Sequence, residues 1–296
     1  MKELVAVNGE IYKPGDAKIS VFDRGFLFGD AIYEVTRSYG RIFFQIEAHI
    51  ERLYRSAKWI DMDLAKTQSE MIRHIYDIYK KIDCEDVYMR IQISRGDGPI
   101  GMSKNMVKKP NEVIIIYPFV QIDKKYFDEG AKIFVTERLR NAKKALDPNI
   151  KSGNYLNNVL AYNEGEKEGA FETFMVNSQG HVTEGTTSNI FMVKNNTLIT
   201  PPANYDILVG ITRGIVMEIA ENIGLKVEEK GFDLKTLQSA DEVFLTSSTR
   251  EIVPVKDVNG KTFKVGQFEK TRKLIEGYKA YTSRYLENAK KEHPWR

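Results

Sequence analysis

The sequence contains a single cysteine, Cys84, and only four histidines among its 296 residues. One cysteine cannot form an internal disulfide, and no second cysteine or spaced histidine pair completes a zinc site, so we expect no metal. No apolar run approaches the ~20 residues that a membrane-spanning helix needs. The opening residues also lack the charged, apolar and small-residue regions of a secretory signal. We therefore predict a cytoplasmic protein that does not associate with a membrane.

Neither sign of charge is in large excess. The formal net charge is only +3, and lysine and arginine are spread along the chain. Nucleic-acid-binding proteins concentrate basic residues on one face, so we expect no nucleic acid as a partner. The length favours two domains, because single cores rarely grow beyond about 250–300 residues.

The first part of the chain mixes strand and helix patterns. Asn8-Gly9 is typical of a tight hairpin turn, and Tyr39-Gly40 separates two further strand-like runs. A stripe of apolar residues at helical spacing predicts an amphipathic helix, and its members are Ile46, Ile50, Leu53, Ala57 and Ile60. A second helix and two more strands complete a predicted N-terminal α+β domain, residues 1–125.

A charged stretch without periodicity, RLRNAKKALDP, follows and ends at Pro148. This loss of pattern predicts an interdomain linker over residues 126–148 and a C-terminal domain over residues 149–296. Helices and strands mix there without strict βαβ alternation, which favours an α+β fold over a doubly wound parallel sheet.

Four motifs stand out in the C-terminal part. They are Lys151-Ser-Gly-Asn-Tyr-Leu-Asn-Asn, Thr183-Glu-Gly-Thr-Thr-Ser-Asn-Ile-Phe, Gly210-Ile-Thr-Arg and Leu245-Thr-Ser-Ser-Thr-Arg-Glu-Ile-Val-Pro. Their order and spacing resemble the class IV (fold-type IV) pyridoxal-phosphate-dependent aminotransferases, the group of branched-chain and D-amino-acid aminotransferases. With Arg52 in His49-Ile-Glu-Arg-Leu, the resemblance covers nearly the whole chain. It implies a two-domain α+β architecture with the active site between the domains, and pyridoxal phosphate as cofactor.

The resemblance also implies roles for individual residues. Lys151 would carry the cofactor on its amine and move the substrate proton, for which lysine is suited because its pKa falls readily in a desolvated cationic site. Tyr155, one helical turn beyond, would reach the cofactor's phenolic oxygen. Glu184, before a Gly-Thr-Thr-Ser turn, would hold the pyridine nitrogen in its protonated state. Without the resemblance these residues could equally be a surface lysine, a packed aromatic ring and a solvated carboxylate.

Three parts of the sequence are expected to bind the cofactor phosphate. Gly210-Ile211-Thr212 leads into a predicted helix, whose unpaired N–H groups favour an anion, although Thr212 could be a simple helix cap. Ser248 would supply a second hydroxyl. Arg52 looks like a solvated charge by pattern alone, and only the family places its guanidinium on the phosphate.

Alternate strand residues share a face, which groups Tyr33, Val35 and Arg37, and likewise Tyr88, Arg90 and Gln92. They could form a solvated surface. The resemblance instead suggests that both faces line the substrate cavity, together with Thr249, and that Arg90 receives the side-chain carboxylate of glutamate.

The motifs leave the substrate open. Tyr88-Met-Arg90 favours a branched-chain enzyme that uses L-amino acids and 2-oxoglutarate, although Val35 stands where that branch usually has glycine. Asp23-Arg-Gly-Phe-Leu-Phe-Gly-Asp resembles the D-amino-acid branch, but the Arg-x-His pair of that branch is missing from the loop 98–102. We favour the branched-chain interpretation. The remaining alternatives are an aminodeoxychorismate lyase and a non-catalytic relative.

The family closes its pocket with a loop from a neighbouring subunit, for which the loop 98–102 is the best match here. We therefore expect at least a homodimer, with small amino acids and 2-oxo acids as the other partners.

Overall fold

In the computed structural model, which describes residues 2–107 and 109–292, the chain divides into two compact units. Unit 1 comprises residues 1–120, 150–154 and 284–296, and unit 2 comprises residues 121–149 and 155–283. Mixed helices and strands in both units confirm the predicted two-domain α+β architecture. No helix in the described part of the chain is both long and apolar enough to cross a membrane.

Unit 1 is built on an antiparallel sheet. Its strands are β1 (Leu4–Val7), β2 (Glu10–Tyr12), β3 (Ala31–Tyr39), β4 (Ile42–Phe43), β5 (Val87–Ser94) and β6 (Asn111–Pro118). They pair in the order β2-β1-β6-β5-β3-β4. Its helices are α1 (Arg24–Phe28), α2 (Ile46–Trp59) and α3 (Gln68–Tyr79), and a 3₁₀ turn covers Lys104–Met106.

The two faces of this sheet differ in character. Met89, Ile91 and Ile93 of β5 are buried in one apolar cluster with Ile50 and Leu53 of α2, the stripe that the helical spacing predicts. The intervening residues of β5 therefore point to the opposite face, which carries the polar and aromatic side chains. Helices α2 and α3 cover the apolar face of the sheet, and the polar and aromatic side chains lie on the other face.

Unit 2 has its own sheet and core. Its strands are β7 (Ala131–Leu139), β8 (Glu172–Val176), β9 (Val182–Gly185), β10 (Asn189–Lys194), β11 (Thr197–Thr200), β12 (Lys226–Glu229), β13 (Glu242–Ser247), β14 (Glu251–Val258) and β15 (Lys261–Thr262). The order is β12-β11-β10-β13-β14-β7-β8-β9, with β15 on β14. The helices are α4 (Lys125–Asp128), α5 (Lys143–Leu146), α6 (Leu156–Lys167), α7 (Ile211–Asn222), α8 (Leu234–Gln238) and α9 (Glu269–Glu292), and a 3₁₀ turn covers Val265–Gln267.

The predicted linker over residues 126–148 is wrong. Strand β7 lies in this range and pairs in parallel with both β14 and β8, in the interior of the unit 2 sheet. Ala131, Ile133 and Val135 are buried and alternate with the partly exposed Lys132 and Phe134, as in a strand with one buried face. The charged stretch after Leu139 is prominent in the sequence and conceals this short apolar alternation.

The boundary at residue 149 also differs from the structure. Residues 150–154 belong to unit 1, where the Tyr33 amide donates to the Lys151 carbonyl at 2.9 Å and the Gly153 amide donates to the Ala31 carbonyl at 2.7 Å. Further along the chain, the Tyr285 hydroxyl donates to the Phe43 carbonyl of unit 1 at 3.3 Å. Unit 1 is therefore assembled from three separate stretches of sequence.

Candidate active site

Lys151 lies beside β3 because the segment around it continues the hydrogen bonding of that strand. Its amide also donates to the Ser56 hydroxyl of α2 at 3.2 Å. These contacts fix the backbone, and the side-chain Nζ lies 3.3 Å from the Tyr33 hydroxyl and 4.4 Å from the centre of the Tyr33 ring. The predicted lysine and one predicted substrate residue therefore meet in unit 1.

Tyr155 cannot be placed by the helical-turn argument. Helix α6 begins only at Leu156, and residues 150–154 run alongside β3. The spacing of four residues between Lys151 and Tyr155 thus carries no helical geometry. The role of Tyr155 rests on the family resemblance alone.

Arg52 lies on the buried side of unit 1, in an ion pair with Glu34 of β3. Its Nε and Nη2 donate to the two carboxylate oxygens of Glu34 at 2.6 and 2.9 Å. His49, one turn earlier on α2, contacts the same carboxylate through Nδ1 at 2.7 Å. Arg52 is therefore not the solvated charge that its pattern suggests, because it is buried and two of its nitrogens hold a buried carboxylate.

Burial and the neighbouring charges together determine which members of this cluster are ionised. Burial opposes ionisation of Glu34, but the charge of Arg52 and the hydrogen bonds from Arg52 and His49 more than offset it and hold the pKa of Glu34 far below its usual value. Burial lowers the pKa of His49, Arg52 and Lys151 act in the same direction, and Glu34 opposes them. The cluster therefore consists of an anionic Glu34, a cationic Arg52 and a neutral His49 at pH 7.

The residues predicted to line the substrate cavity lie side by side on the paired strands β3 and β5. Tyr33 pairs with Gln92, Val35 with Arg90, and Arg37 with Tyr88. Residues directly opposite each other in neighbouring strands share a face, so these six side chains form one surface.

Arg37 is held by local contacts on this surface. Its guanidinium carbon is 4.1 Å from the centre of the Tyr39 ring and 3.5 Å from that of Phe119, and one of its nitrogens is 4.0 Å from Asp86. Only 5% of the residue is exposed. These contacts favour a packing role for Arg37 over direct substrate binding.

The loop 98–102 is anchored by Arg24, which the sequence did not single out. Arg24 donates to the carbonyl oxygens of Gly101 at 2.6 Å and of Met102 and Ser103 at 3.1 Å each, and Asp30 pairs with its Nε at 2.9 Å. Ile100 and Met102 on the same loop are 68% and 77% exposed. The loop thus combines a fixed backbone with exposed apolar side chains.

Glu184 lies on β9 of unit 2, a strand that the sequence pattern missed. Its carboxylate accepts a hydrogen bond from Arg140 Nε at 2.9 Å and one from the Leu208 amide at 2.8 Å. Both side chains of the ion pair are less than a tenth exposed. Arg140 falls in the predicted linker, and no sequence pattern connects it with a residue 44 positions later. The contacts hold a carboxylate in one orientation inside unit 2.

The start of helix α7 has features that suit an anion. Its N-cap Gly210 provides no side-chain hydrogen bond to the first N–H groups, which begin at Ile211. Thr212 is 3% exposed, and its hydroxyl finds no hydrogen-bond partner in the described part of the chain. A Cβ at position 210 would lie 2.0 Å from the Asn189 side-chain oxygen, so any larger residue would displace the Asn189 side chain. Unpaired N–H groups and a buried unpaired hydroxyl together favour a bound oxyanion.

Ser248 and Thr249 lie in the turn between β13 and β14, which a buried carboxylate organises. Glu172 accepts hydrogen bonds from Ser188 at 3.0 Å and from Arg250, the residue after Thr249, at 2.8 Å. Burial would raise the pKa of Glu172, but Arg250 and the neighbouring hydroxyl and amide donors lower it below its usual value. Glu172 therefore links the turn after Glu184 to the turn that contains Ser248.

Comparison with known proteins defines the class. Residues 31–258 match the family model described as amino-transferase class IV, and the chain belongs to this family. It is therefore an aminotransferase that uses pyridoxal phosphate.

Individual relatives cover nearly the whole chain. A Methanocaldococcus jannaschii protein, provisionally named a branched-chain-amino-acid aminotransferase, is 37% identical over 276 residues, which are 93% of this chain and 95% of that protein. The D-alanine aminotransferase of Bacillus licheniformis is 34% identical over 262 residues, 88% of this chain and 90% of that protein. The Escherichia coli branched-chain amino acid aminotransferase has a similar structure, with a TM-score of 0.90, 26% identity and 95% coverage of each chain.

The residues present fit this cofactor. The buried, unpartnered Thr212 hydroxyl at the start of α7 suits a phosphate group, and the fixed carboxylate of Glu184 suits a protonated ring nitrogen. When bound, pyridoxal phosphate supplies a ring that accepts the electron pair released from the substrate Cα.

Proposed function

We propose that the enzyme transfers the amino group between a branched-chain or other hydrophobic L-amino acid and 2-oxoglutarate. The observation that carries this proposal is the position of Arg90, opposite the apolar Val35 on the polar face of the unit 1 sheet. A pocket that serves both substrates needs a cation for the side-chain carboxylate of one and an apolar surface for the side chain of the other. Arg90 and Val35 provide this pair.

The chain's own residues have separate roles in this proposal. Lys151 would hold the cofactor and carry the proton removed from the substrate Cα, with the Tyr33 hydroxyl beside its amine. Glu184, fixed by Arg140, keeps the ring nitrogen protonated. Ile211, Thr212, Ser248 and Arg52 hold the phosphate, Tyr155 holds the phenolic oxygen, and Tyr88 and Thr249 line the substrate pocket.

The second candidate is a D-amino-acid aminotransferase. Relatives named D-alanine aminotransferase are 34–35% identical to this chain, and Val35 narrows the apolar surface beside Arg90. In this alternative Arg90 would bind the α-carboxylate, and every amino acid substrate would depend on it.

A kinetic panel of L- and D-amino acids with 2-oxoglutarate separates the two candidates. We expect the highest kcat/KM with leucine, isoleucine or valine in the L-form. Arg90→Met should slow the half-reaction with L-glutamate by about 10–100-fold, the value of losing a charged hydrogen-bond partner, and leave the half-reaction with leucine nearly unchanged. Preference for D-amino acids, or an equal fall in both half-reactions, would support the second candidate.

We also propose that the enzyme works in the cytoplasm as a homodimer or larger assembly. The exposed apolar side chains of Ile100 and Met102, on a loop fixed by Arg24, support a contact between subunits. Sedimentation at assay concentration tests this, and a fully active monomer would refute it.

A further inference from the structure

Gln92 lies on the predicted substrate surface without a role of its own so far, and it makes the shortest hydrogen bond of Arg90 among the described residues. The Gln92 side-chain oxygen accepts hydrogen bonds from Arg90 Nε at 3.2 Å and from Nη2 at 2.8 Å. The two residues are separated by one position on β5 and share a face. These two hydrogen bonds turn the Arg90 guanidinium toward Gln92, along the direction of β5.

A second contact fixes the plane of the guanidinium. Its central carbon lies 3.8 Å from the centre of the Tyr33 ring, and Tyr33 is the residue opposite Gln92 on β3. A cation this close to an aromatic face is attracted by the ring. The same Tyr33 also bonds to the Lys151 amine. Gln92 and Tyr33 thus hold the charge of Arg90 beside the predicted reacting lysine.

The neutral character of Gln92 sets Arg90 apart from four other arginines near the predicted site residues. Arg24, Arg52, Arg140 and Arg250 each form a close ion pair with a carboxylate. Arg90 forms none with the residues that the structure describes, although it is half-buried. An amide orients a guanidinium without cancelling its charge, whereas a carboxylate in the same place would do both.

The remaining hydrogen-bonding groups of Arg90 suit a ligand. Gln92 engages Nε and Nη2, and the neighbouring Tyr88 side chain, which is also neutral, hydrogen-bonds the same guanidinium. A carboxylate binds arginine best through two parallel N–H groups, which the outer edge of the guanidinium provides.

From these contacts we propose that Gln92 determines specificity for dicarboxylic substrates by positioning Arg90 and leaving its charge available to their side-chain carboxylate. This inference rests on the proposed role of Arg90. It adds that the residue at position 92 must be a neutral hydrogen-bond acceptor.

Three variants of the holoenzyme test the inference. Gln92→Glu places a carboxylate against Arg90, and Gln92→Met removes the acceptor at nearly the same volume. Gln68→Glu is the matched control, since it makes the same chemical change at an exposed position of α3. The probes are two unreactive acids of equal chain length, glutarate and valerate, and their inhibition constants are the readout. Cofactor absorbance and the melting temperature of each variant show that it is folded.

Gln92→Glu should raise the inhibition constant of glutarate by about 10–100-fold and that of valerate by less than about 3-fold, because only glutarate needs the charge of Arg90. Gln92→Met should give a smaller selective loss, and the control should match the parent enzyme. Unchanged glutarate binding in Gln92→Glu, or an equal loss of both acids, would overturn the inference. If Arg90→Met itself retains glutarate binding, the proposed function fails as well. If Arg90→Met loses it and Gln92→Glu does not, only the inference fails.

Discussion

Replacing Arg52 tests two roles separately: its observed support of a buried carboxylate and its proposed contact with the cofactor phosphate. In Arg52→Met the Glu34 carboxylate, whose side chain is 0% exposed, keeps only His49 among the partners described above. Removing one partner of a buried ion pair costs about 3–5 kcal/mol. This is a large share of the roughly 5–15 kcal/mol by which a folded domain is stable.

The double variant Arg52→Met/Glu34→Gln distinguishes the two roles. A neutral amide at position 34 removes the uncompensated charge, so we expect at least about half of the lost stability to return. Cofactor affinity should not return, because the phosphate still lacks a charge-assisted contact worth about 10–100-fold in the dissociation constant.

Urea denaturation of the cofactor-free protein measures the stability, and titration with pyridoxal phosphate measures the affinity. Lowering the pH should relieve the single variant, because the pKa of Glu34 rises once the charge of Arg52 is gone. A single variant as stable as the parent would refute the ion-pair argument. Recovery of cofactor affinity in the double variant would refute a contact between Arg52 and the phosphate.

Four other substitutions test the site. Lys151→Ala should abolish turnover. Borohydride reduction of the parent enzyme followed by peptide mapping should label Lys151, and a label on another lysine would show that Lys151 does not carry the cofactor. Glu184→Gln should slow substrate deprotonation by at least ~10²-fold, as for the loss of one strong electrostatic contact in a buried site. Arg140→Met, which leaves Glu184 in place but removes its partner at 2.9 Å, should show a smaller loss in the same single-turnover assay, and rates equal to the parent would contradict both roles. The pKa of His49 is lower in the folded than in the unfolded chain, so the unfolded chain takes up a proton first and stability should fall as the pH drops below about 6.5. His49→Gln should flatten this part of the stability profile in urea denaturation, and an unchanged slope would show that another group causes it.

Local pattern predicts much of unit 1. The hairpin at Asn8-Gly9, the apolar stripe of α2 and the alternation along β5 depend on neighbours in sequence, and the structure has all three. The pairing of Tyr33 with Gln92 could not be derived, because register depends on strands far apart in the chain.

The partners of the site residues were missed for the same reason. Arg140 meets Glu184 and Arg250 meets Glu172 across 44 and 78 positions of sequence. Such ion pairs have no periodic signature. Arg52 shows the opposite error, since its motif points to the cofactor but does not reveal the carboxylate that it already holds.

The three-part composition of unit 1 has a consequence for biosynthesis. Residues 150–154 and the end of α9 join this unit, and the Tyr285 hydroxyl bonds to Phe43 across 242 positions. The ribosome therefore releases the first 120 residues long before their last partners exist. We expect the emerging N-terminal sheet to remain incomplete during synthesis, and unit 2, most of which is translated without interruption, to finish its core first. Deletion of residues 284–296 should accordingly expose the N-terminal segment to proteases, even though the deleted residues are made long after that segment.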